Sequence, residues 1–211
     1  MARHGGKNLE KIIFSDEKLF TVAETHNNQN HRIYAASLED IPEHLRTVQR
    51  FAHEQQIMIW AGLSKKGKLP LVFVKPGVKI NTSYYVNTVL KTVLKPHADI
   101  LFGKDPWIFQ QDSAPAHKSK MCQKWCSENL PGFITTLEWP PSSPDLNPLD
   151  YCIWGILEEK VNATRHRSLE SLKAAIIKEW HDLPMESVRA AINAWPGRLR
   201  STMVKKGGRF E

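Results

Sequence analysis

The sequence predicts an α/β fold in which a mixed β-sheet is flanked by α-helices. Apolar runs of strand length occupy residues 12–22 and 57–64, both in the first third of the chain. From residue 81 onward, segments with helical periodicity alternate with segments of strand composition. The last part of the chain has only helical patterns. Strands in a meander, followed by alternating helices and strands, give a sheet whose faces are covered by helices.

The first predicted strand is IIFSDEKLFTV (12–22), an apolar run interrupted by a Ser-Asp-Glu-Lys cluster. After a polar turn, HRIYA (31–35) is the second predicted strand. The nearly continuous apolar run IMIWAGLS (57–64) is typical of a buried strand. A KKGK turn leads to LPLVFV (69–74), so that these two strands form a hairpin.

A helix is predicted from Asn81, because apolar side chains in NTSYYVNTVLKTVL recur at the spacing of one helix face. WIFQQD (107–112) returns to strand composition. Residues 119–130 are helical again, until a Pro-Gly pair ends the helix. FITTLEW (133–139) is the last predicted strand.

The remaining segments predict a turn and three helices. PPSSPDLNP (140–148) is a turn that leads to a helix over 149–161. Ser168 is a candidate N-cap for the next helix, and Pro196-Gly197 is expected to break or kink the end of the last one. This order of elements is typical of an RNase H-like core.

Composition sets limits on partner and compartment. The 211 residues are 41% apolar and 24% charged, as in an ordinary globular protein. The net charge of +7 favours an acidic partner such as nucleic acid, with a basic surface kept for solubility as the alternative. The chain contains three cysteines and neither a secretory leader nor a membrane-spanning apolar run, so we expect a soluble intracellular protein.

Three aspartates stand where chemistry could occur. Asp16 lies in the middle of the first strand, Asp112 closes WIFQQD, and Asp150 lies in the first turn of a helix. Each alone has a structural explanation, namely an edge strand, a turn or a favourable helix dipole. In a mixed sheet the three could converge, and carboxylates without a histidine cluster suit Mg²⁺ or Mn²⁺ rather than zinc. Two such ions ~3.5–4 Å apart catalyse in-line phosphoryl transfer.

Three segments resemble, in order, the signature blocks of mariner/Tc-type transposases: IIFSDEKLF, WIFQQDSAPAH and WPPSSPDLNPLDYCIWGILE. The resemblance runs from about Ile12 to Glu158, with weaker similarity in the tail KKGGRF. Matched position by position, the family's catalytic and metal-binding triad falls on Asp16, Asp112 and Asp150. The 37 residues between the last two (150 − 112 − 1) resemble a mariner-related subgroup with an Asp-Asp-Asp triad.

The resemblance implies the catalytic domain of a cut-and-paste DNA transposase with an RNase H-like fold. Asp16, Asp112 and Asp150 would hold two Mg²⁺ or Mn²⁺ ions. The enzyme would hydrolyse DNA at transposon ends, and the freed 3′-hydroxyl would attack target DNA, usually at a TA dinucleotide. The implied partners are these two DNAs, with a homodimer as a further expectation, and the implied location is the nucleus.

The domain organisation follows from the same resemblance. We expect residues 1–211 to form one catalytic domain with a helical part from about residue 165. The family's N-terminal helix-turn-helix region, which recognises the terminal repeats, is expected to be absent. A catalytically silent DNA-binding or dimerising remnant is therefore the alternative function. An RNase H-type hydrolase of RNA–DNA hybrids is a third interpretation, which the SPDLNPLD segment does not favour.

Other polar residues have competing interpretations. Glu17 would point to the opposite face of the strand from Asp16, so it is left out of the triad. Asp145 is expected to shape the SPDLNP turn rather than bind metal. His117 could approach DNA or the metal site, although capping or packing near the following helix is favoured.

Three larger sets have mainly structural explanations. Cys122 and Cys126 share a helix face and have no second pair of zinc ligands at a suitable spacing. Four tryptophans are expected in the core: Trp60, Trp107, Trp139 and Trp154. The basic side chains of the KKGK turn and of the C-terminal tail could contact DNA or remain solvated: Lys65, Lys66, Lys68, Arg198, Arg200, Lys205, Lys206 and Arg209.

Overall fold

The computed structural model describes residues 6–22, residue 37 and residues 55–204. A short 3-10 turn, Gly6–Lys11, leads into a four-stranded sheet. Its strands are β1 (Ile12–Thr21), β2 (Gln56–Leu63), β3 (Val72–Val74) and β4 (Ile108–Gln110). The strand predicted at 31–35 lies outside the described residues.

The sheet is mixed, as the sequence predicts, and β1 lies in its interior. The strand order is β3-β2-β1-β4. β1 pairs antiparallel with β2 and parallel with β4, where Phe14 lies opposite Gln110. β2 pairs antiparallel with β3, which confirms the predicted hairpin. Because β1 has a neighbour on each side, its polar residues lie within the sheet rather than on an exposed edge.

The predicted strand over 133–139 is wrong. Only Phe133 pairs with the sheet, in an isolated parallel bridge to Phe109. The chain then turns, because the backbone N–H and the hydroxyl of Thr135 both donate to Glu138 Oε2, at 3.1 and 3.0 Å. Side-chain bonds of this kind compete with the strand ladder. The predicted strand over 69–74 is also shorter in the structure, since only its last three residues join β2.

Helices α1 to α3 cover one face of the sheet. α1 consists of three consecutive segments, Thr82–Tyr84, a π-helical stretch Tyr85–Leu94, and Lys95–Phe102. α2 is Pro115–Lys118 and α3 is Lys120–Asn129. The core on this face combines side chains of the sheet with side chains of α1 and α3: Ile13, Trp60, Tyr85, Val89, Phe109 and Cys122.

Helices α4 to α6 cover the opposite face. α4 begins with a π-helical turn, Leu149–Ile153, and continues as Trp154–Asn162. α5 is Leu169–Asp182 and α6 is Met185–Val204. Their core includes Ile12, Phe14, Ala61, Trp154, Ile176 and Trp195. Among the described helices, none is both long and apolar enough to cross a bilayer.

Local signals at helix ends are partly confirmed. Asn81 Oδ1 caps α1 by accepting from the N–H of Tyr84 at 2.9 Å, and Ser168 Oγ caps α5 by accepting from Ser171 at 3.2 Å. Of the break or kink predicted at Pro196-Gly197, the break is wrong, because α6 continues to Val204, and the kink stays a prediction. Pro196 removes one helical hydrogen bond, but burial of its neighbour Trp195 holds this part of the helix against the core.

Candidate active site

A polar pocket of about 390 Å³ lies where β1, the end of β4 and the start of α4 meet. The three predicted aspartates, Asp16, Asp112 and Asp150, all line it. The other lining residues come from β1, from the loop after β4, from α2 and from the segment around the proline-rich turn: Glu17, Ser113, Ala114, Lys118, Trp139, Pro141, Ser142, Ser143, Pro144 and Asn147. The sequence-predicted acids therefore share one concave site.

Asp16 reaches the pocket from the centre of β1. Side chains alternate along a strand, so Asp16 lies on the same face as Phe14, whereas Glu17 lies on the face of Ile13. Trp154 Nε1 donates to Asp16 Oδ2 at 2.6 Å. This bond orients the carboxylate against α4.

Asp112 lies two residues beyond the end of β4. Its Oδ1 accepts the backbone N–H of Ala114 at 2.9 Å and lies 2.6 Å from Nδ1 of His117. Burial works to raise the pKa of Asp112, but the bonds from His117 and Ala114 outweigh it and lower the pKa below its ordinary value. Asp112 is therefore an ionised carboxylate at neutral pH, and its Oδ1 accepts both hydrogen bonds.

A pair of buried polar side chains sets the distance between β1 and β4. Ser15 Oγ donates to the backbone carbonyl of Gln110 at 2.9 Å, and the N–H of Ser15 donates to Gln110 Oε1 at 3.3 Å. Both residues are buried; Ser15 directly precedes Asp16, and Gln110 lies two residues before Asp112. These bonds fix Asp16 relative to Asp112.

Asp150 is placed by the turn that precedes α4. Asn147 Nδ2 donates to the backbone carbonyl of Ser15 at 3.0 Å, while Asn147 Oδ1 accepts the N–H of Leu149 at 3.2 Å. One buried side chain thus fastens the start of α4 to β1. As a result, the carboxylate in the first turn of α4 faces the carboxylate of β1 across the pocket.

Asp16 and Asp150 are electrostatically linked. The pKa of Asp16 is raised, first by burial and then by the negative charge of Asp150, against the opposing bond from Trp154. Asp150 is accessible from the pocket, yet partial desolvation there raises its pKa as well, against a hydrogen bond with Asp16 and the charge of Lys18. Two carboxylates that repel each other in this way share protons or attract cations.

Comparisons with known proteins identify the family of this chain. Residues 11–173 match the family model described as DDE superfamily endonuclease. The chain belongs to the DDE superfamily endonucleases. It is 31% identical over 196 residues to the Tc3 transposase of the transposable element in Caenorhabditis elegans, which covers 92% of this chain and 56% of that protein.

Solved structures show the same fold for this DDE superfamily endonuclease. The Mos1 mariner paired-end complex with Mn matches with a TM-score of 0.78 at 20% identity, over 100% of this chain and 60% of that one. The Mos1 transposase catalytic domain with raltegravir and Mg matches with a TM-score of 0.69 at 20% identity, over 100% of this chain and 90% of that one. The RNase H-like prediction is confirmed. The chain spans just over half the length of the Tc3 relative.

His117 contacts two carboxylates of this DDE endonuclease chain. Its ring is buried, and Nε2 lies 3.4 Å from Glu17 Oε1 while Nδ1 contacts Asp112. Burial disfavours the charged ring, but the hydrogen bond to Asp112 and the nearby carboxylate of Glu17 outweigh it and raise the pKa of His117 to about 10. The ring stacks on Tyr85 and contacts the site residue Asp112, so it lies at the predicted metal site, which is the interpretation that the sequence did not favour. It is an imidazolium at neutral pH.

The chemical type of the ligand atoms in the pocket fits Mg²⁺ or Mn²⁺. Its ligand atoms are carboxylate oxygens, and the mutual repulsion of Asp16 and Asp150 would be relieved by a divalent cation. Within residues 6–22 and 55–204, however, no three acidic, histidine or cysteine side chains surround a single point at ligand distance. Oxygens of Asp16 and Asp112 are instead held by Trp154 and His117. Metal ligation by the triad stays a prediction.

The remaining candidates have mostly structural positions. Asp145 lies in the 3-10 turn Pro144–Leu146, outside the pocket lining, as expected of a turn former. Lys66 pairs with Asp105 at 2.8 Å rather than standing free. The buried cysteines and the four tryptophans are core residues, as predicted: Cys122, Cys126, Trp60, Trp107, Trp139 and Trp154. Lys205, Lys206 and Arg209 lie outside the described residues.

Sequence reasoning missed three site residues. Trp154 was assigned to the core alone, yet its Nε1 binds Asp16, and Glu17 was set aside although it lines the pocket. Asn147 was not singled out. A buried asparagine within SPDLNP, directly before a helix, was the available signal, because a buried amide requires partners.

Proposed function

We propose that this chain is the catalytic domain of a cut-and-paste DNA transposase, which cleaves DNA strands and joins them to target DNA. The observation that carries the proposal is the convergence of Asp16, Asp112 and Asp150, one from each signature segment, on a single polar pocket. The family match and the likeness to the Tc3 transposase support it. A nuclear location and assembly as a homodimer belong to the same proposal.

In this proposal, Asp16, Asp112 and Asp150 hold two Mg²⁺ or Mn²⁺ ions. When bound, such ions stabilise the negative charge on the attacking and leaving oxygens of an in-line phosphoryl transfer. The protein's part is orientation. Because Oδ1 of Asp112 accepts bonds from Ala114 and His117, its Oδ2 is the atom left for a ligand.

The substrate would approach through the open side of the pocket. Lys118 lies exposed on its lining. Burial raises the pKa of Asp112, and the charge of Lys118 adds to the larger opposing effects of His117 and the Ala114 N–H, which lower this pKa. A lysine at this place suits a phosphate oxygen of the DNA backbone. The net charge of +7 supports the same class of substrate.

We assign residues 1–211 to one catalytic domain, with its helical part from about residue 165. α5 and α6 share a core with α4 and β1, through residues such as Phe14, Leu157, Leu172 and Ile192. This continuity supports a single folding unit.

The test uses a DNA duplex with an exposed 3′-hydroxyl at a pre-cut end, a supercoiled target plasmid and Mn²⁺. We expect the wild type to nick and join, and each of Asp16→Asn, Asp112→Asn and Asp150→Asn to lose at least ~100-fold in rate. Asp145→Asn is the matched control, because it is an aspartate of the third segment outside the pocket. Equal cleavage by wild type and Asp112→Asn would overturn the proposal.

The same preparation separates catalysis from silent DNA binding. In EDTA, filter binding measures DNA retention without turnover. A remnant would retain DNA in a salt-sensitive manner and show no product after Mn²⁺ is added. A transposase catalytic domain shows both retention and Mn²⁺-dependent product.

A further inference from the structure

We propose that His117 and Glu17 are positioning residues, which hold Asp112 so that its Oδ2 faces the pocket. The inference rests on the proposed function, since it concerns how a proposed metal ligand is oriented. It gives a function to His117 and Glu17, neither of which belongs to the triad.

The His117 ring bridges the two carboxylates. Nδ1 lies 2.6 Å from Asp112 Oδ1, and Nε2 lies 3.4 Å from Glu17 Oε1. The ring is only 3% exposed, so no solvent competes for either nitrogen. An Asp carboxylate has broad, roughly two-fold freedom about its terminal torsion. A buried donor fixed to one oxygen removes this freedom.

The ring and the backbone of His117 are each held by a separate contact. It packs on the Tyr85 ring with centroids 4.1 Å apart, and the hydroxyl of Tyr85 donates to Gln111 Oε1 at 2.9 Å. Gln123 Nε2 donates to the backbone carbonyl of His117 at 2.9 Å. Neither contact is needed for a helix cap alone. Together they fix the orientation of a ring that contacts Asp112.

Glu17 connects this arrangement to β1. Neighbouring side chains on a strand point to opposite faces, so Asp16 contacts the α4 side while Glu17 reaches His117 on the α2 side. β1 thereby touches Asp150 through Asp16, and Asp112 through Glu17 and His117. One strand sets the position of the other two acids.

Residues that orient metal ligands typically change metal affinity by ~10–100-fold when mutated. Two variants of His117 separate the hydrogen bond from packing. His117→Phe keeps a ring against Tyr85 and removes both nitrogens, whereas His117→Asn loses the stacking and keeps an amide N–H close to the position of Nδ1. Glu17→Ala and Glu17→Gln form a second pair, in which only glutamine keeps an acceptor for Nε2.

The experiment is calorimetric titration of the purified chain with Mn²⁺ alone, together with the Mn²⁺ concentration that gives half-maximal cleavage. We expect His117→Phe and Glu17→Ala to weaken Mn²⁺ binding by ~10–100-fold and ~3–10-fold, while His117→Asn and Glu17→Gln stay within ~3-fold of wild type. The half-maximal Mn²⁺ concentration should shift by the same factors, with little loss of rate at saturation. Thermal melting without metal checks that each variant is folded. If His117→Phe does not fold, the comparison of Glu17→Ala with Glu17→Gln tests the positioning role.

The outcomes distinguish this inference from the proposed function. Wild-type Mn²⁺ affinity in His117→Phe and Glu17→Ala would overturn the positioning role and leave catalysis by the triad untouched. A loss of Mn²⁺ affinity in His117→Asn together with wild-type affinity in His117→Phe would assign the effect to packing, and would also overturn the positioning role. A wild type that binds no Mn²⁺ and cleaves no DNA would overturn both.

Discussion

Trp154 Nε1 donates a hydrogen bond of 2.6 Å to Asp16 Oδ2, and Trp154 lies four residues after Asp150 in α4. The same helix therefore supplies one acid of the pocket and the donor that orients another. Its indole is 1% exposed and packs edge-on against Phe20 at 6.3 Å. Core packing and site geometry are combined in one side chain, so a change there should affect both.

Trp154→Phe tests this link. The variant keeps an aromatic ring but leaves Asp16 Oδ2 without its buried donor, so we expect a loss of ~2–4 kcal/mol in unfolding free energy. Trp195→Phe is the matched control, since Trp195 is equally buried and its Nε1 has no hydrogen-bond partner within the described part of the chain. Denaturant unfolding in EDTA measures both. Equal losses would show that the bond to Asp16 adds nothing beyond packing.

Asp16→Asn should flatten the pH dependence of metal-free stability. The folded-state pKa of Asp16 is raised, so the folded chain binds a proton more tightly than the unfolded chain does. Stability from this group is present at low pH and is lost as pH rises toward the folded-state pKa. In EDTA, the unfolding free energy of the wild type should decrease between about pH 5 and 8. The decrease in Asp16→Asn over the same range should be smaller by on the order of 1–3 kcal/mol.

His117 also contributes to the pH dependence of stability, and this contribution is removed by subtracting the Asp16→Asn curve from the wild-type curve. Its pKa is also raised, to about 10, so its contribution declines above its unfolded value of about 6.5 in wild type and variant alike. The difference between the two proteins therefore isolates the acidic pair. Glu128→Gln, at an exposed position of α3 outside the pocket lining, should follow the wild-type curve. Parallel curves for Asp16→Asn and wild type would contradict the raised pKa.

Much of the fold was predictable because its signals are local. The structure buries the first four residues of β1 and most of β2, both of which are apolar runs in the sequence, and the cap at Ser168 is a short-range bond that the sequence pattern indicates. The failure at 133–139 also has a local cause, since the bonds from Thr135 to Glu138 compete with strand pairing. Composition alone favoured a strand there and carries no information on that competition.

The site was predictable only in part. Asp16, Asp112 and Asp150 stand in ordered motifs, and the structure brings them to one pocket. The contacts that orient them join residues far apart in sequence, such as Trp154 with Asp16, 138 positions away. Such contacts depend on the packing of α4 on the sheet, which periodicity does not specify. Motifs predicted the acids, and tertiary structure supplies their partners.

Lys118→Gln should weaken DNA binding through one phosphate contact. Lys118 is exposed on the pocket lining, so its loss should lower the magnitude of the slope of log K against log salt by ~1 for all DNA sequences. Lys124→Gln is the control on α3, because its side chain is 75% exposed and pairs with Glu128 at 3.7 Å. Filter binding in EDTA at several salt concentrations gives both slopes. Equal slopes for the two variants would exclude a specific role for Lys118.

Lys68→Met should destabilise the fold without touching the pocket. Lys68 Nζ donates to three backbone carbonyls at the end of α5, those of Trp180 at 2.6 Å, His181 at 2.9 Å and Leu183 at 2.6 Å. A cation there satisfies terminal carbonyls and the helix dipole, so we expect a loss of ~1–3 kcal/mol. Lys95→Met, which breaks one exposed i,i+4 pair, should cost below ~0.5 kcal/mol. Thermal or denaturant unfolding compares them, and similar costs would refute the capping role.

Asn147→Ala should impair both stability and catalysis, because one amide joins the turn before α4 to β1. The variant loses the bond to the carbonyl of Ser15 and leaves the N–H of Leu149 unpaired in a buried position. We expect a cost of ~1–3 kcal/mol and at least ~10-fold slower Mn²⁺-dependent cleavage, since Asp150 would no longer be fixed opposite β1. Asn129→Ala, which removes one exposed bond within α3, should leave both unchanged. A variant at position 147 that lost stability yet cleaved at the wild-type rate would show that the placement of Asp150 does not depend on this amide.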